Sequence, residues 1–547
     1  MLAGPTGLRA PRAASPAWAT PRRPVSARAF AGMGLVLAAT PILAEPLHFS
    51  ASARVTETYT TNVDYTAQGQ AKSDFFTEIS AGLNISGETG GKRLKINGSI
   101  GLGQALYIGR PQNNNIVPNV NVAARLEAIE NFAFVDARAV IVPTFSSPFA
   151  AQPANIANAT QNRYTQQAYS VSPSIRGVFG SNNNLSYQVR DDNLWTVASG
   201  FGDTSTAVPN TYVNQFNASL SSPTQPVGWT LDYARSYYDN GLRSASGLGQ
   251  GGTFTTQSVS LAVPYRIDPQ IQISAKAGAE SNQYPLTSSR NLTYGVGGQW
   301  SPTDRTQVSG NLDHRFFGAG YSAQISHRLP NVALSASLSR GLSSFPALAF
   351  SLPAGASINQ YLDLALATRI PDPIERAIAV QQFLARTGLP ATLGSPLNYY
   401  TASSTLQRSA AMTAVLIGGT NSVSLSLFNV QSEAISDPGA ALPPALRFAQ
   451  NNTQTGGTVA YSRSFFGRVS LGASASYSRA SGKASEANAG NQRSNNSNVS
   501  VNLGTPLGAK TNGTASLSYS RSDVSGTTIG AGNTSAVNAS VSVNHTF

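Results

Sequence analysis

The chain has no cysteine, an absence that removes disulfides, iron–sulfur clusters and thiolate zinc sites together. Charge is scarce as well: 11% of residues are Asp, Glu, Lys or Arg, well below the roughly 25% of an ordinary globular chain. Long apolar runs are also missing, and a mean hydropathy of -0.13 leaves no room for a set of spanning helices. Low charge without long apolar runs is the balance a transmembrane β-barrel produces, because each strand gives alternate residues to lipid and to a polar lumen. The four histidines are too few and too scattered to suggest a catalytic or metal centre.

What is present is alternation with a period of two, running from about Phe49 to Phe547. At the end of the chain Val537, Ala539, Val541, Val543, His545 and Phe547 share one face, and Asn538, Ser540, Ser542, Asn544 and Thr546 the other. A last strand closing on Phe resembles the signal by which bacterial outer-membrane barrels are recognised. Val541, Val543, His545 and Phe547 are therefore read as an assembly signal, with the barrel-assembly machinery as partner. The same period runs through Phe75, Thr77, Ile79, Ala81, Leu83 and Ile85, then through Leu94, Ile96, Gly98, Ile100 and Leu102. Tight joints at Gly87 to Arg93, Asp268-Pro269, Ser301 to Arg305 and Gly418 to Asn421 alternate with long polar connections at 143–163, 240–253, 432–452 and 480–496. Short turns at one end and longer loops at the other predict an all-β, transmembrane, antiparallel up-and-down β-barrel of about 22 strands, in a range of about 16 to 24.

Residues 1–44 read as a signal peptide and 45–547 as the barrel. Arg9, Arg12, Arg22, Arg23 and Arg28 precede an apolar stretch from Ala29 to Ala39, and cleavage is expected after Ala44. Removing that leader takes five of the 37 basic residues and no acidic one, leaving 32 against 25, a net charge of +7. One long connection has helical spacing: Ile358, Tyr361, Leu362, Ala365 and Leu366, then Ile374, Ala377, Ile378 and Leu384 after Pro371. Asp372, Pro373 and Glu375 supply a helix start, and Gly388 and Pro390 a stop. Residues 357–388 are thus expected to form two short helices in an external loop, as a surface cap or as a lid or plug in the lumen.

Glu57-Thr-Tyr-Thr-Thr-Asn-Val63, Ser73-Asp-Phe-Phe-Thr-Glu-Ile-Ser-Ala-Gly-Leu83 and Phe134-Val-Asp-Ala-Arg-Ala139 carry a family likeness. Together with Ile370-Pro-Asp-Pro-Ile-Glu-Arg376, Val380 and Phe383-Leu384, they resemble the PEP-CTERM-system-associated outer-membrane protein family. The resemblance implies an outer-membrane barrel found with exosortase and exopolysaccharide systems.

Motifs that could carry chemistry fail on detail. Gly87-Glu-Thr-Gly-Gly-Lys-Arg93 imitates a phosphate-binding loop, but Ser86 and Arg93 stand where Gly and Ser or Thr are required, so it reads as a turn. Asp191-Asp192-Asn193 lacks the spacing of a calcium loop and reads as a solvated strand end. His314, His327 and His545 take the lipid-facing register, and His48 the inward one at a strand start. No catalytic residue, metal or cofactor is expected, and the chain is not read as an enzyme.

Two patterns bear on function. Tyr233-Ala-Arg235, Tyr477-Ser-Arg479 and Tyr519-Ser-Arg521 each end an odd-numbered strand with both side chains toward lipid, a placement suited to lipopolysaccharide head groups. Facing the lumen are Arg54, Lys95, Arg125, Arg138, Arg176, Arg190, Lys276 and Arg315, against Glu78, Glu127, Asp136, Glu280 and Asp313. That basic excess favours anionic solutes, while its scatter over many strands argues against nucleic-acid binding. The expected function is an outer-membrane channel, porin-like, for an anionic solute or, as the resemblance implies, an anionic exopolysaccharide. The alternative is a non-conducting scaffold that anchors a surface or secretion apparatus.

Overall fold

The computed structural model describes residues 47–547 except 90, 92, 161, 181–183, 200–207, 240–251, 285–287, 402–403, 436–450, 466–467, 483–491, 527–531 and all of 346–395 but Leu348, Leu362, Leu366, Arg376 and Val380. The strands are β1 (His48–Thr60), β2 (Asp74–Thr89), β3 (Leu94–Tyr107), β4 (Asn115–Ile129), β5 (Ala133–Phe145), β6 (Arg163–Phe179), β7 (Leu185–Ser199), β8 (Thr211–Ser222), β9 (Trp229–Asp239), β10 (Thr253–Arg266) and β11 (Ile271–Gln283). They continue as β12 (Ser288–Thr303), β13 (Thr306–Arg315), β14 (Gly318–Leu329), β15 (Val332–Ser343), β16 (Thr405–Ile417), β17 (Asn421–Ala434), β18 (Asn452–Phe465), β19 (Val469–Gly482), β20 (Gln492–Pro506), β21 (Thr511–Ser525) and β22 (Gly532–Thr546).

Each strand pairs antiparallel with its sequence neighbour, and β22 returns to β1 from Ser52↔Thr546 to Thr60↔Asn538, closing a 22-stranded sheet. Closure satisfies every strand edge, which an open sheet in a bilayer could not do. The alternation predicted from sequence sets the two faces: Val55, Ile79, Leu312 and Val541 are all more than half exposed on the outside, while Phe76, Ser424 and Ser522 are buried inside. Large apolar side chains facing outward over the whole circumference make sense only against lipid.

Connections after even-numbered strands are short, as at 130–132, 267–270, 304–305 and 330–331, and those after odd-numbered strands include 61–73, 146–162 and 344–404. The short-turn end, which also holds the start of β1 and the end of β22, is the periplasmic end of such a barrel. The odd-numbered joint β13–β14 is an exception in length, closed by Phe316, Phe317 and Gly318, whose φ of 88° suits glycine.

Several expectations are corrected. Asp191, Asp192 and Asn193 do not end a strand; they lie in the middle of β7, where all three pair with β8 and Asn193 also pairs with β6. The long connections are shorter than their composition suggested, because polar strand ends keep pairing: β5 runs to Phe145, β17 to Ala434, β19 to Gly482 and β20 starts at Gln492. The helical pair expected at 357–388 lies outside the described residues except for Leu362, Leu366, Arg376 and Val380. The helical element whose bounds fall among the described residues is a 3-10 turn, Pro111–Asn113, while Phe345, Leu348, Leu362, Leu366, Arg376 and Val380 are single described residues with α-helical backbone. The expected leader, 1–44, also lies outside the described residues.

Candidate functional site

The bore is the candidate site, and its wall is built by register. Register sets Arg54, Lys95, Arg125, Arg138, Arg176, Arg190, Lys276 and Arg315 on the strand face opposite the exposed apolar one. Pairing sets Arg125 opposite Asp136, and Ser174 between Phe134 and Arg190. The result is a charge ladder across β4–β7: Asp136 receives Arg190 at 2.6 Å and Arg125 at 3.7 Å, and Arg190 also bonds Asp192 at 2.7 Å. Phe134 lies between the guanidinium groups of Arg125 and Arg176, whose carbons are 5.0 and 4.3 Å from the ring centre. Arg138 sits one pleat further out on β5, opposite Ala123 and Ser170. Lys95 pairs with Glu88 at 2.6 Å near the periplasmic end. On the other side of the ring Arg315 meets the buried carboxylate of Glu280 at 2.7 Å, which also accepts the Phe316 N–H at 2.6 Å. Arg54 faces Ser80 and Asn544, and Lys276 faces Ala262 and Gly295. Much of the basic excess read from sequence is therefore neutralised within the wall, through Asp136 and Glu280 and also through Glu88 and Asp192, which the sequence reading had assigned to a turn and a strand end.

Strands β16–β22 build a different wall. None of their inward-facing strand residues is charged; they are Ser, Thr, Asn, Gln, Gly and a few apolar residues. Hydroxyls pair across neighbouring strands: Ser422 with Ser462 at 2.7 Å, Ser474 with Ser500 at 2.8 Å, and Thr514 with Ser542 at 2.6 Å. Ser424, Ser494 and Ser522 are fully buried. The cations of these strands, Arg408, Arg463, Arg479, Arg493 and Arg521, all take the outward register.

Two inward-folded segments cross the outer mouth. The first, 146–162, leaves the charged wall after β5 and reaches the strands on the other side of the seam. Asn158 donates to Thr60 Oγ1 and to the Asn62 carbonyl, each at 2.8 Å, and accepts from Asn538 at 3.1 Å. The Gln152 N–H donates to Ser522 at 3.4 Å, and Phe149 packs where any Cβ on Gly482 would stand. The second, 396–401, precedes β16. Leu397 exchanges two hydrogen bonds with Gln454 of β18, and the Thr401 carbonyl accepts from Tyr238 of β9 at 3.2 Å. Tyr400 and Phe345 form a buried cluster with Tyr164 of β6 and Val208. Burial holds the Tyr400 phenol well above the usual tyrosine range, raises that of Tyr399, and pushes Tyr284 up to about 12. Strands on opposite sides of the ring are thus bridged by described chain, and Leu362 and Val380 of the expected insert are buried as well. Sequence spacing singled out 357–388 as a surface cap or a lid or plug; the Phe, Tyr and Asn content of 146–162 and 396–401 was the signal that went unread.

Outside, Tyr233, Arg235, Tyr477, Arg479, Tyr519 and Arg521 are all exposed on the lipid-facing side, as expected from their register. Arg521 is not a free cation, since Asp523 holds it at 3.0 Å. His314 stacks on Tyr294, and His327 and His545 bond Thr306 and Thr511 at 2.8 and 2.9 Å, all toward lipid. Among the described residues no group of His, Cys, Asp and Glu could hold a metal ion. Val541, Val543 and His545 face outward on β22, and the Phe547 N–H donates to Ala51 O at 2.9 Å.

A closed, 22-stranded antiparallel sheet with an apolar belt outside and a polar bore is an outer-membrane β-barrel. Among solved structures the chain is similar in fold to the siderophore receptor PirA from Acinetobacter baumannii, at 9% identity over 92% of this chain and 81% of that one, with a TM-score of 0.45. It is also similar to the FrpB iron transporter from Neisseria meningitidis, at 10% identity over 91% and 82%, with a TM-score of 0.45. OccK2 (OpdF) from Pseudomonas aeruginosa, solved in complex with glucuronate, matches at 10% identity over 93% and 99%, with a TM-score of 0.34. No protein-family profile matches the chain, and no curated protein does.

Proposed function

We propose that the protein is a porin-like channel for export or passage of an anionic solute or exopolysaccharide, acting in an exosortase-linked system. The observation that supports this reading is the division of the bore into a charged wall and an uncharged wall of hydroxyls and amides. A polyhydroxylated chain can exchange hydrogen bonds step by step along the neutral wall, where no fixed charge holds it. Its acidic groups face the ladder of β4–β7, where Arg125 and Arg190 are already paired and attract weakly enough to let go. The polysaccharide context rests on the family resemblance. Arg479, exposed beyond Tyr477 on the outward face of β19, supports a reading in which it meets lipopolysaccharide phosphates and fixes the barrel's height.

The two segments across the mouth favour a second reading, a plugged scaffold that anchors a surface or secretion apparatus. Single-channel conductance in a planar bilayer separates the two. The channel reading expects a wild-type pore with anion preference, and severalfold higher conductance when 357–388 or 148–160 is replaced by a short Gly-Ser linker. A silent wild type that conducts only after those replacements supports the scaffold.

A further inference from the structure

The outer face of β7–β9 carries an anion, amides and hydroxyls within the belt. Asp191 faces outward from the middle of β7, with Tyr187 and Val189 on its periplasmic side and Trp195 on its outer side. Its carboxylate accepts from Asn193 Nδ2 at 2.8 Å and Asn214 Nδ2 at 2.6 Å, and Asn193 in turn accepts from the Tyr212 hydroxyl at 2.7 Å. Among the described residues Asp191 has no ion pair. Arg235, exposed on β9, lies between Tyr233 and Tyr237 on the same outward face, so it too is inside the belt. Ionised groups at belt depth are costly against lipid and are retained where a partner covers them.

Their placement identifies the partner. Register puts Asp191 directly opposite Phe216 of β8, and Phe216 directly opposite Arg235. An anion and a cation thus flank one aromatic side chain, one strand to either side. A two-fold axis along the membrane normal, passing at Phe216, reverses left and right between facing barrels. It therefore sets the Asp191 of each copy against the Arg235 of the other. Strand tilt raises Arg235 above Asp191 by about 6 Å over two strand spacings, a step that an arginine side chain spans. The pattern complements itself and needs no second kind of chain. We propose that the β7–β9 flank is the interface of a homodimer, joined within the membrane by two reciprocal Asp191–Arg235 ion pairs.

The absence of cysteine gives a clean test. Ala218 faces outward on β8, one pleat below Phe216, and Ala336 faces outward on β15, away from the proposed axis. Oxidation in native membranes should convert most A218C protein to a disulfide dimer and leave A336C monomeric. Adding D191R to A218C should abolish the crosslink, and D191R with R235D should restore it, with heat-modifiable mobility reporting folded barrel in each case. Three results overturn the proposal: a folded A218C barrel that stays monomeric, a crosslink unaffected by D191R, and no recovery in a folded charge-swap variant. If R235E lowers stability only in lipopolysaccharide and A218C remains monomeric, Arg235 serves a lipid phosphate and the dimer is wrong.

Discussion

The two walls of the bore solve one problem in opposite ways. Both must line a polar interior with side chains that face no lipid. Strands β4–β7 do it with Arg125, Asp136, Arg176, Arg190 and Asp192, whose charges satisfy one another and stack on Phe134. Strands β16–β22 do it with serine, threonine and asparagine, and send their arginines outward. The outer faces invert the pattern, for β7 shows Asp191 to the belt while β16–β21 show Arg408, Arg479 and Arg493. Charge inside the ladder is met by counter-charge on the next strand or the one beyond it, as Asp136 meets Arg125 and Arg190, and the neutral wall has none to offer.

The harshest way to break the contrast is to put a charge into the neutral wall. Ser424 is fully buried, and Ser424→Asp leaves a carboxylate with no cation, among the described residues, on the inward strand positions beside it. The cost is on the order of several kcal/mol, and the heat-shifted folded form should be largely lost from membranes. A milder break removes the hub of the charged wall. Asp136→Ala strands Arg125 and leaves Arg190 with Asp192 alone; their side chains keep 49% and 31% exposure, so stability should fall by only about 1 kcal/mol in urea titration. The reversal potential in a salt gradient should move toward anions, because a negative charge has left the wall.

A third test addresses the bridge between the walls. Gly482→Val forces Phe149 away from β19, which should lower stability by about 1 to 3 kcal/mol and raise conductance if 146–162 limits the bore. Unchanged conductance with Phe149 displaced would place the constriction elsewhere. The smallest effect is expected on the outer face. Arg479→Glu should lower the melting temperature by a few degrees more in lipopolysaccharide than in phosphatidylcholine. Equal shifts would mean that Arg479 meets only water.

Facing was legible in the sequence because a strand's side chains alternate regardless of what the strand pairs with. Arg54, Lys276 and Arg315 could thus be placed in the bore, and Tyr519 and Val543 on the lipid side, from their own segments. Pairing was not legible, since it depends on register accumulated from strand to strand and on irregularities such as the shifts at Glu127/Ile129 and Trp300/Thr303. The union of Asp136 with Arg190 across β6 is of that kind, as is the Asp191–Phe216–Arg235 row. Asp191 to Asn193 misled for a further reason: three polar residues together look like a strand end unless the partner strands are known to continue past them. The segments at the mouth escaped because their partners, Ser522 and Tyr238, are far away in sequence.

The seam between β1 and β22 also governs the order of events in time. Its nine paired positions join the first described strand to the last, so no other strand contact in the molecule spans more chain. Every neighbour pair can zip locally as the polypeptide arrives, but the ring cannot shut until the final strand has been delivered. Until then both margins of a growing sheet stand open to any other strand, including one from a sibling chain. Closure is therefore a single late step, after which the barrel has no end from which to unravel, and resistance to unfolding should appear all at once.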